Sequence, residues 1–183
     1  MRLAMRSPSK ALGVFFDVLS FVFINGTIKK EGGEVEMPNF MEIALQEAEH
    51  AAYRGEVPVG AVLVSSTGKI LARAGNRTEE DSDPTAHAEI VVLRQAAKKR
   101  GSPRLSGCDL YVTLEPCAMC AAAISFARLR RVVFAAYDPK GGAVDHGPRF
   151  FSQPTCHHAP ESVGGVEEKR ACAMLKKFFE EKR

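Results

Sequence analysis

Apolar residues recur at helical spacing in two segments, one beginning near residue 40 and one at the C-terminal end. Asn39 precedes the first repeat and Gly55 follows it, which predicts a helix over residues 40–54 with a side-chain cap and a glycine stop. The second repeat predicts a terminal helix over residues 167–182. The positions predicted to face inward are Met41, Ala44, Leu45, Ala48, Ala51 and Ala52 in the first helix, and Ala171, Met174, Leu175 and Phe178 in the last.

Apolar runs of strand length lie between these two helices. Residues 57–64 are almost continuously apolar, a polar turn follows, and residues 70–74 return the chain, so this stretch predicts a β-hairpin. Residues 108–114 and 132–137 predict two further buried strands. An irregular stretch with a short helix should follow, and then a short strand near residues 164–166.

Two more helices are predicted, and each begins at a motif of reactive residues. Thr85 is a capping residue for a helix that begins directly after it and ends near Arg100. Pro116 suits the first position of a helix over residues 117–128. The order of elements predicts an α/β domain whose central mixed sheet of about five strands is covered by helices on both faces. Its strand–helix–strand part predicts parallel pairing with a right-handed crossover.

The first 36 residues differ in character from the rest of the chain. Residues 1–10 are basic, and residues 11–24 are apolar except for Asp17 and Ser20. Three interpretations fit: a signal peptide, a short additional helix or membrane-surface anchor, and a segment that the natural protein lacks. The apolar run is too short to span a bilayer, and no small-residue cleavage site follows it.

The sequence just before Met37 favours the third interpretation. Residues 30–35 can be encoded by purine-rich codons that resemble a ribosome-binding site upstream of a start codon. We therefore hypothesise that the natural protein begins at Met37, that residues 1–36 are a non-core extension, and that residues 37–183 form the functional domain. N-terminal sequencing of protein expressed from its own gene tests this, and an N-terminus at Met1 would refute it.

The composition is that of a single globular domain in a reducing compartment. The chain has 183 residues, of which 45% are apolar and 26% charged, enough to bury a full core. The formal net charge of +3 permits a polyanionic partner without requiring one. The five cysteines are an odd number with two at metal-ligand spacing, so we expect a cytoplasmic protein with no disulfide framework and no membrane partner. We expect Cys108, Cys156 and Cys172 to be buried as small hydrophobic residues.

Two short motifs carry residues suited to metal chemistry. Glu89 follows His87 by two residues, and Cys117 and Cys120 lie in a Pro-Cys-x-x-Cys segment. One His and two Cys are a usual ligand set for a catalytic Zn²⁺, whose fourth position is left to water. A carboxylate beside such a site serves better as a proton carrier than as a further ligand, so we assign that role to Glu89.

Both motifs are predicted to open helices. Backbone N–H groups are unpaired at a helix start, and the positive end of the helix dipole there favours thiolate over thiol. Cys117 and Cys120 stand three residues apart and so share one side of their helix. Two helix starts aimed at one point can therefore supply all three ligands for one zinc ion per subunit.

From Met37 onward the chain resembles the cytidine deaminase superfamily and, within it, the bacterial tRNA-specific adenosine deaminases. The zinc motifs alone specify only the superfamily, whereas residues 111–117 and Glu56-Val57-Pro58 are typical of the tRNA enzymes. The segments that carry the resemblance are 55–61, 83–90, 110–120, 131–134 and 138–142, together with Asn76 and the pair Phe178-Phe179.

The resemblance implies a three-layer α/β/α cytidine-deaminase-like fold, a Zn²⁺ cofactor and a homodimer. It implies hydrolytic deamination of adenosine to inosine at the wobble position of a tRNA anticodon stem-loop. It also implies that Asn76 contacts the target nucleotide, although an Asn at a strand end is also common as a turn cap.

Three other functions fit the same residues. A structural zinc site needs a fourth Cys or His at motif spacing, and the sequence offers none nearby. A deaminase of a free base or nucleoside, such as guanine, cytosine or cytidine, is the main alternative, because the zinc motif does not encode the shape of the pocket. A non-catalytic RNA-binding subunit is disfavoured by the presence of Glu89.

A group of basic residues has two interpretations. They form either a phosphate-contacting rim or scattered solvated charges: Arg128, Arg130, Arg131, Lys140 and Arg149.

Overall fold

The chain consists of two compact units, and the boundary between them follows Pro38. The computed structural model describes residues 22–24, 27–30, 33–36 and 38–182. Among these, no helix combines the length and the apolar character needed to cross a membrane.

The first unit contains a small antiparallel sheet in its described part. Its strands, in the order β1-β2-β3, are β1 (Val22–Ile24), β2 (Thr27–Lys30) and β3 (Gly33–Glu36). A helix was one interpretation of the apolar N-terminal run, and it is wrong for residues 22–24. The earlier part of that run lies outside the described residues.

The second unit is an α/β domain. Its helices are α1 (Phe40–Tyr53), α2 (Ala88–Arg100), α3 (Ala118–Ala127) and α4 (Glu168–Glu181). Its strands are β4 (Gly60–Val64), β5 (Ile70–Gly75), β6 (Asp109–Leu114), β7 (Arg131–Ala136) and β8 (Glu161–Val163). A short 3₁₀ helix covers Phe150–Ser152.

The five strands form one mixed sheet in the order β5-β4-β6-β7-β8. β4 is antiparallel to both β5 and β6, whereas β6, β7 and β8 run parallel. The predicted hairpin and the predicted parallel strand–helix–strand unit are both confirmed. Because β6 and β7 point the same way, the segments that follow them meet at one edge of the sheet, and α3 begins at that edge.

Alternate residues of the central strands face opposite helix layers. Leu63, Val112 and Phe134 belong to the buried core cluster that also holds Val92 of α2 and Ile124 of α3. The intervening strand positions face α1 and α4, which pack on the other side of the sheet. The predicted three-layer α/β/α arrangement is therefore confirmed.

Helix α1 lies unusually close to the sheet. A Cβ atom on Gly60 would lie 2.1 Å from the carbonyl oxygen of Ala44 and 2.4 Å from the backbone nitrogen of Ala48. At the N-terminal end of the helix, the rings of Phe40 and Tyr111 pack with their centroids 5.2 Å apart. Small residues on both surfaces, alanine on the helix and glycine in the strand beneath it, allow this close approach.

Two strands differ in position from the prediction. β4 begins at Gly60 rather than at residue 57, because the N–H of Val59 donates to the carbonyl of Val57 in a tight turn at 2.7 Å. β8 ends at Val163, before the predicted residues 164–166. The chain then passes so close to the Phe134 ring that a Cβ on Gly164 would lie 2.5 Å from it.

Burial also differs from the prediction at several positions. Helix α3 consists almost entirely of apolar residues, yet Phe126 is 75% exposed and Ala118 is exposed as well. Of the three cysteines expected to be buried, only Cys108 is; Cys156 is half-buried and Cys172 is exposed. Cys172 directly follows the buried residue Ala171 on α4, so its side chain falls on the outer face of that helix.

Candidate metal centre and active site

His87, Cys117 and Cys120 lie together, as the sequence predicts. The Nδ1 atom of His87 is 3.7 Å from the Sγ atom of Cys117 and 3.6 Å from that of Cys120. All three potential donor atoms lie within 4.8 Å of one another. Within the described residues this cluster has three donor side chains and no fourth, which is the ligand count of a catalytic rather than a structural zinc site.

The spacing of the three donors fits Zn²⁺. Tetrahedral bonds of about 2.05 Å to nitrogen and about 2.3 Å to sulfur place those two atoms roughly 3.6 Å apart. The two observed nitrogen–sulfur distances, 3.7 and 3.6 Å, match this separation. One imidazole and two thiolates are also the borderline-soft donor set that zinc prefers. These residues therefore form a zinc-binding site.

The helix starts that carry the ligands begin slightly later than predicted. His87 is the N-cap of α2, and Cys117 is the N-cap of α3, with Cys120 in the first turn. Thr85 does not cap α2, because its backbone N–H and its hydroxyl both donate to the Oδ1 atom of Asp83, at 2.8 and 2.7 Å. Pro116 precedes the N-cap instead of occupying the first helical position.

Asn76 holds the start of α2 in place. Its side-chain oxygen accepts a hydrogen bond from the backbone N–H of Ala88 at 2.9 Å, and the residue is buried. Its own N–H donates to the carbonyl of Val59, also at 2.9 Å, which anchors it at the end of β5. The amide nitrogen of its side chain has no hydrogen-bond partner among the described residues, so that group remains free to donate.

Glu89 is buried in the first turn of α2, with 3% of its surface exposed. Its Oε2 atom is fully buried and has no hydrogen-bond partner among the described residues. Burial raises the pKa of the Glu89 carboxyl. A buried carboxyl oxygen without a partner destabilises the fold, and buried polar atoms are almost always hydrogen-bonded, so this exception indicates a function. The structure therefore places a buried, unpartnered carboxyl group two residues after the zinc ligand His87.

The surroundings of Cys117 favour its ionised form. Hydrogen bonds from Cys120 and His87 lower the pKa of the Cys117 thiol to about 4, although burial opposes the shift. The hydrogen bond with Cys117 in turn raises the pKa of His87. A thiolate at this position is the form that binds a metal ion.

Sequence reasoning assigned no role to Glu115, which organises one wall of the site. Its carboxylate is buried and accepts backbone hydrogen bonds from Asp138, Val144, Asp145 and His146, at 2.9–3.1 Å. Burial acts to raise the pKa of this carboxyl, but the hydrogen bonds of Asp138, His146 and Asp145 outweigh it and hold the pKa below its usual value. The loop of residues 138–146 is thus fixed against the metal-binding turn, which is the turn at the start of α3 that carries Cys117 and Cys120.

Two backbone contacts strengthen this attachment. Gly142 pairs with Cys117 in an isolated antiparallel bridge, and the N–H of Ala143 donates to the carbonyl of Pro116 at 2.9 Å. A Cβ on Gly142 would lie 2.5 Å from the Glu115 carboxyl carbon, so only glycine fits there. A charged residue at the end of a buried strand, directly before Pro116, was the sequence feature that could have revealed Glu115.

Glu56 was also missed, and it organises the loop that leads to His87. It is 1% exposed, and its carboxylate accepts hydrogen bonds from the backbone N–H groups of Glu79 and Glu80 and from the hydroxyl of Thr78, at 2.9–3.0 Å. In the sequence, Glu56 stands out only as part of the Glu56-Val57-Pro58 segment that resembles the tRNA enzymes. Its position between a helix stop and an apolar run indicates burial, but nothing local identifies its partners.

Most of the basic residues proposed as a phosphate-contacting rim lie away from the metal centre. Arg130 and Arg131 both donate to the carboxylate of Asp109, at 2.7–2.8 Å. Asp109 opens β6, whereas the metal-binding turn follows the other end of that strand. Arg128 ends α3, and the metal ligands lie at the start of that helix. These three arginines therefore lie away from the metal centre, whereas Lys140 and Arg149 lie in and just after the loop of residues 138–146.

Comparisons with known proteins agree with this site. A family model described as the cytidine and deoxycytidylate deaminase zinc-binding region matches residues 35–136 of the chain. The fold and the three metal-binding residues thus define the class of zinc-dependent deaminases.

Individual relatives narrow the class further. A tRNA-specific adenosine deaminase from Agrobacterium fabrum is 61% identical over 148 residues, covering 81% of this chain and 97% of that protein. One from Bacillus subtilis is 46% identical over 144 residues, covering 79% and 89%. A solved structure from a study of A-to-I editing by tRNA:A34 deaminases at the wobble position of transfer RNA has 62% identity and a TM-score of 0.73, covering 74% of this chain and 98% of that chain. The chain belongs to the tRNA-specific adenosine deaminase family.

Proposed function

We propose that this protein hydrolyses adenosine to inosine at the wobble position of a tRNA anticodon, with Glu89 as the proton carrier. The observation that carries the proposal is the buried, unpartnered Oε2 atom of Glu89 beside three zinc-binding side chains. The family relationship supports adenosine in tRNA as the substrate, because the relatives named above are tRNA-specific adenosine deaminases that match this chain over 97% and 89% of their own length.

Bound Zn²⁺, held by His87, Cys117 and Cys120, would supply the Lewis acidity that makes water a nucleophile near neutral pH. Glu89 accepts a proton from the water whose oxygen attacks C6 of adenine, and delivers it to N1. It then takes the second proton from the new C6 hydroxyl group and delivers it to the 6-amino group, so the C6–N6 bond breaks and ammonia leaves. Adenosine and water are thereby converted into inosine and ammonia, and one carboxylate serves as both base and acid.

Asn76 is proposed to bind the target nucleotide through its free side-chain amide. Its oxygen is already occupied by the start of α2, so the N–H₂ group is the part available to a ligand. A donor fixed at both backbone and side chain loses little entropy on binding, which favours selectivity for a correctly placed acceptor.

The partner that fits this chemistry best is a single-stranded anticodon loop. A base must leave its stack before C6 can reach a buried carboxylate, and this costs least in a loop. Two steps test the proposal: purified protein is offered an anticodon stem-loop with A at the wobble position, and separately free guanine, cytosine and cytidine. Inosine formation in the stem-loop alone is expected. Deamination of only the free compounds would replace the tRNA assignment with the alternative of a free-base or nucleoside deaminase.

We also propose a cytoplasmic homodimer. The exposed side of α3 carries Phe126, which is 75% exposed, and an apolar ring on the helix that presents two zinc ligands suits burial against a second copy. Light scattering of Phe126→Glu should show more monomer than wild type. Tyr53→Glu, at a ring that is 94% exposed on α1, is the matched control. A Phe126→Glu protein that stays as dimeric as wild type, or a wild type that is monomeric, would contradict this part of the proposal.

A further inference from the structure

His146 is held by a buried charge in the loop beside the metal centre. Its Nδ1 atom lies 2.7 Å from the Oε2 atom of Glu115, whose side chain is fully buried. An ionised carboxylate can only accept hydrogen bonds, so Nδ1 carries the proton in this contact. The other ring nitrogen, Nε2, has no hydrogen-bond partner among the described residues, and 36% of the side chain is exposed. Many functional histidines have this arrangement, in which a carboxylate binds one ring nitrogen and thereby orients the other.

An exposed aromatic ring lies next to this imidazole. The ring of Tyr137 meets the His146 ring edge-on, with centroids 5.8 Å apart, and is itself 37% exposed. On its other side Tyr137 packs edge-on against the buried ring of Phe134, with centroids 5.2 Å apart. The two exposed rings are therefore held by the core on one side and by Glu115 on the other.

The same rings lie close to the turn that carries Cys117. Glu115 precedes this ligand by two residues, and the backbone of Gly142, in the loop that ends at His146, pairs with Cys117 directly. An RNA strand that inserts a base towards the metal centre must pass the walls that border it, and the loop of residues 138–146 is one of them.

We propose that His146, held in position by Glu115, contacts the sugar–phosphate backbone of the RNA beside the target adenosine, with Tyr137 providing an adjoining surface for a flanking base. This inference rests on the proposed function and names a contact that the zinc and proton chemistry does not require. Proteins recognise single-stranded RNA by stacking bases on aromatic or histidine rings and by hydrogen bonds to the 2′-hydroxyl and phosphate groups. The free Nε2 atom can accept from a 2′-hydroxyl or, when protonated, donate to a phosphate oxygen.

The direct test is His146→Ala. The Glu115 carboxylate keeps its four backbone donors in this variant, so the loop and the zinc content should not change. The KM for a wobble-A stem-loop should rise about five- to tenfold, the loss expected for one hydrogen bond of about 1 to 1.4 kcal/mol, while kcat changes less than twofold. His50→Ala, at an exposed histidine on α1, is the matched control and should behave as wild type. A KM within twofold of wild type for His146→Ala would overturn the proposal.

A double-mutant cycle with Glu115→Gln separates positioning from a general loss of structure. If Glu115 acts through His146, Glu115→Gln/His146→Ala should raise the KM no more than His146→Ala alone, whereas additive effects would overturn the positioning role. If Glu115→Gln fails to fold, the His146→Ala result still decides the contact. In the Glu89→Ala background, fluorescence anisotropy measures RNA binding without turnover. A wild type that makes no inosine would end the proposed function, and a His146-dependent Kd for the stem-loop would still support the RNA contact.

Two measurements distinguish a contact with a 2′-hydroxyl group from a contact with a phosphate group. If a 2′-hydroxyl is contacted, a stem-loop with 2′-deoxy nucleotides flanking the target should bind wild type about as weakly as His146→Ala binds the all-ribose RNA. If a phosphate is contacted, His146→Ala should instead flatten the dependence of binding on salt concentration. If both effects are absent and the Kd is unchanged, the proposal is contradicted.

Discussion

The side-chain oxygen of Asn76 accepts a 2.9 Å hydrogen bond from the backbone N–H of Ala88, and this bond joins the end of β5 to the start of α2. Ala88 lies between the zinc ligand His87 and the proposed proton carrier Glu89. A single side chain therefore sets the position of both groups relative to the sheet. Its amide nitrogen, in contrast, has no partner among the described residues. One side chain thus combines an architectural contact with a free donor, and substitution can separate the two.

Asn76→Asp should separate them. The carboxylate keeps an acceptor for the Ala88 N–H at the positive end of α2, so the melting temperature and zinc content should stay close to those of wild type. Loss of the N–H₂ donor should lower kcat/KM on the stem-loop by roughly tenfold or more, as expected for an unpaired polar contact of 1–3 kcal/mol. Asn76→Ala, the comparison variant, should also lose about 1–3 kcal/mol of folding stability, because the Ala88 N–H loses its partner. Full activity in Asn76→Asp would show that Asn76 only supports the helix.

Glu89→Gln should abolish most turnover without loss of the metal. The amide is nearly the same size and fits the same buried space, but it cannot accept and release a proton. Turnover should fall by at least about 10²- to 10⁴-fold, the usual contribution of a general acid–base group. Inosine formation in the stem-loop, measured alongside zinc content by atomic absorption, checks this. Near-wild-type turnover in a protein with full zinc occupancy would remove Glu89 from the mechanism.

His87→Ala should differ from Glu89→Gln in its metal content. The alanine variant leaves only the two cysteines of the cluster, so zinc should dissociate far more readily and activity should be lost with it. Dialysis of wild type against a chelator should likewise remove activity, and added Zn²⁺ should restore it to wild type but not to His87→Ala. A variant that retained zinc as firmly as wild type would show that His87 is not a ligand.

The parts of this site that were predictable from the sequence are those with short-range patterns. His87, Glu89, Cys117 and Cys120 stand in two compact motifs, and ligand chemistry alone indicates that they meet. Asn76 was named only from a family resemblance. Its side-chain oxygen caps the start of α2, 12 residues away, and not a local turn at the strand end, so no local pattern indicates this contact.

Other parts depend on contacts that no local pattern encodes. Glu115 gathers backbone donors 23 to 31 residues away, and Glu56 gathers its partners 22 to 24 residues away. Their positions beside apolar segments are consistent with burial, but only the fold shows which donors they bind. The predicted cap of α2 shows the opposite case, in which a local pattern indicates a contact that the fold does not make. Thr85 has the right chemistry to cap α2, but its N–H and its hydroxyl both donate to Asp83 instead.

Gly60→Ala should be strongly destabilising. The added Cβ would lie 2.1 Å from the carbonyl oxygen of Ala44. That oxygen belongs to the helix backbone, and the position of the Cβ is fixed by the strand backbone, so α1 would have to move off the sheet. A loss of at least about 2–3 kcal/mol in the free energy of unfolding is expected from overpacking. Gly101→Ala is the matched control: its Cβ would meet open space, and its left-handed φ of 65° should cost only about 1–2 kcal/mol. Urea denaturation of both variants measures the difference, and equal losses would contradict the close approach of α1.

The carboxylate of Asp109 should make folding stability depend on pH in the acid range. Burial acts to raise the pKa of this carboxyl, but the hydrogen bonds and charges of Arg130 and Arg131 outweigh it and hold the pKa below its usual value. A lowered pKa in the folded state means that the unfolded chain binds the proton more readily. The stabilisation is therefore complete above the pKa of the unfolded carboxyl and is lost as the pH falls through the folded value.

Asp109→Asn should accordingly be destabilised by about 2 kcal/mol at pH 7, the contribution expected of hydrogen bonds to a charged group, and the difference from wild type should shrink as the pH falls. Asp81→Asn provides the matched control, because Asp81 also receives hydrogen bonds from an arginine, Arg77, but is 43% exposed. An exposed pair of this kind contributes less than about 1 kcal/mol. Denaturation curves recorded from pH 7 to pH 3 compare the three proteins. A difference between wild type and Asp109→Asn that stayed constant over this range would mean that packing around Asp109, and not its charge, stabilises the start of β6.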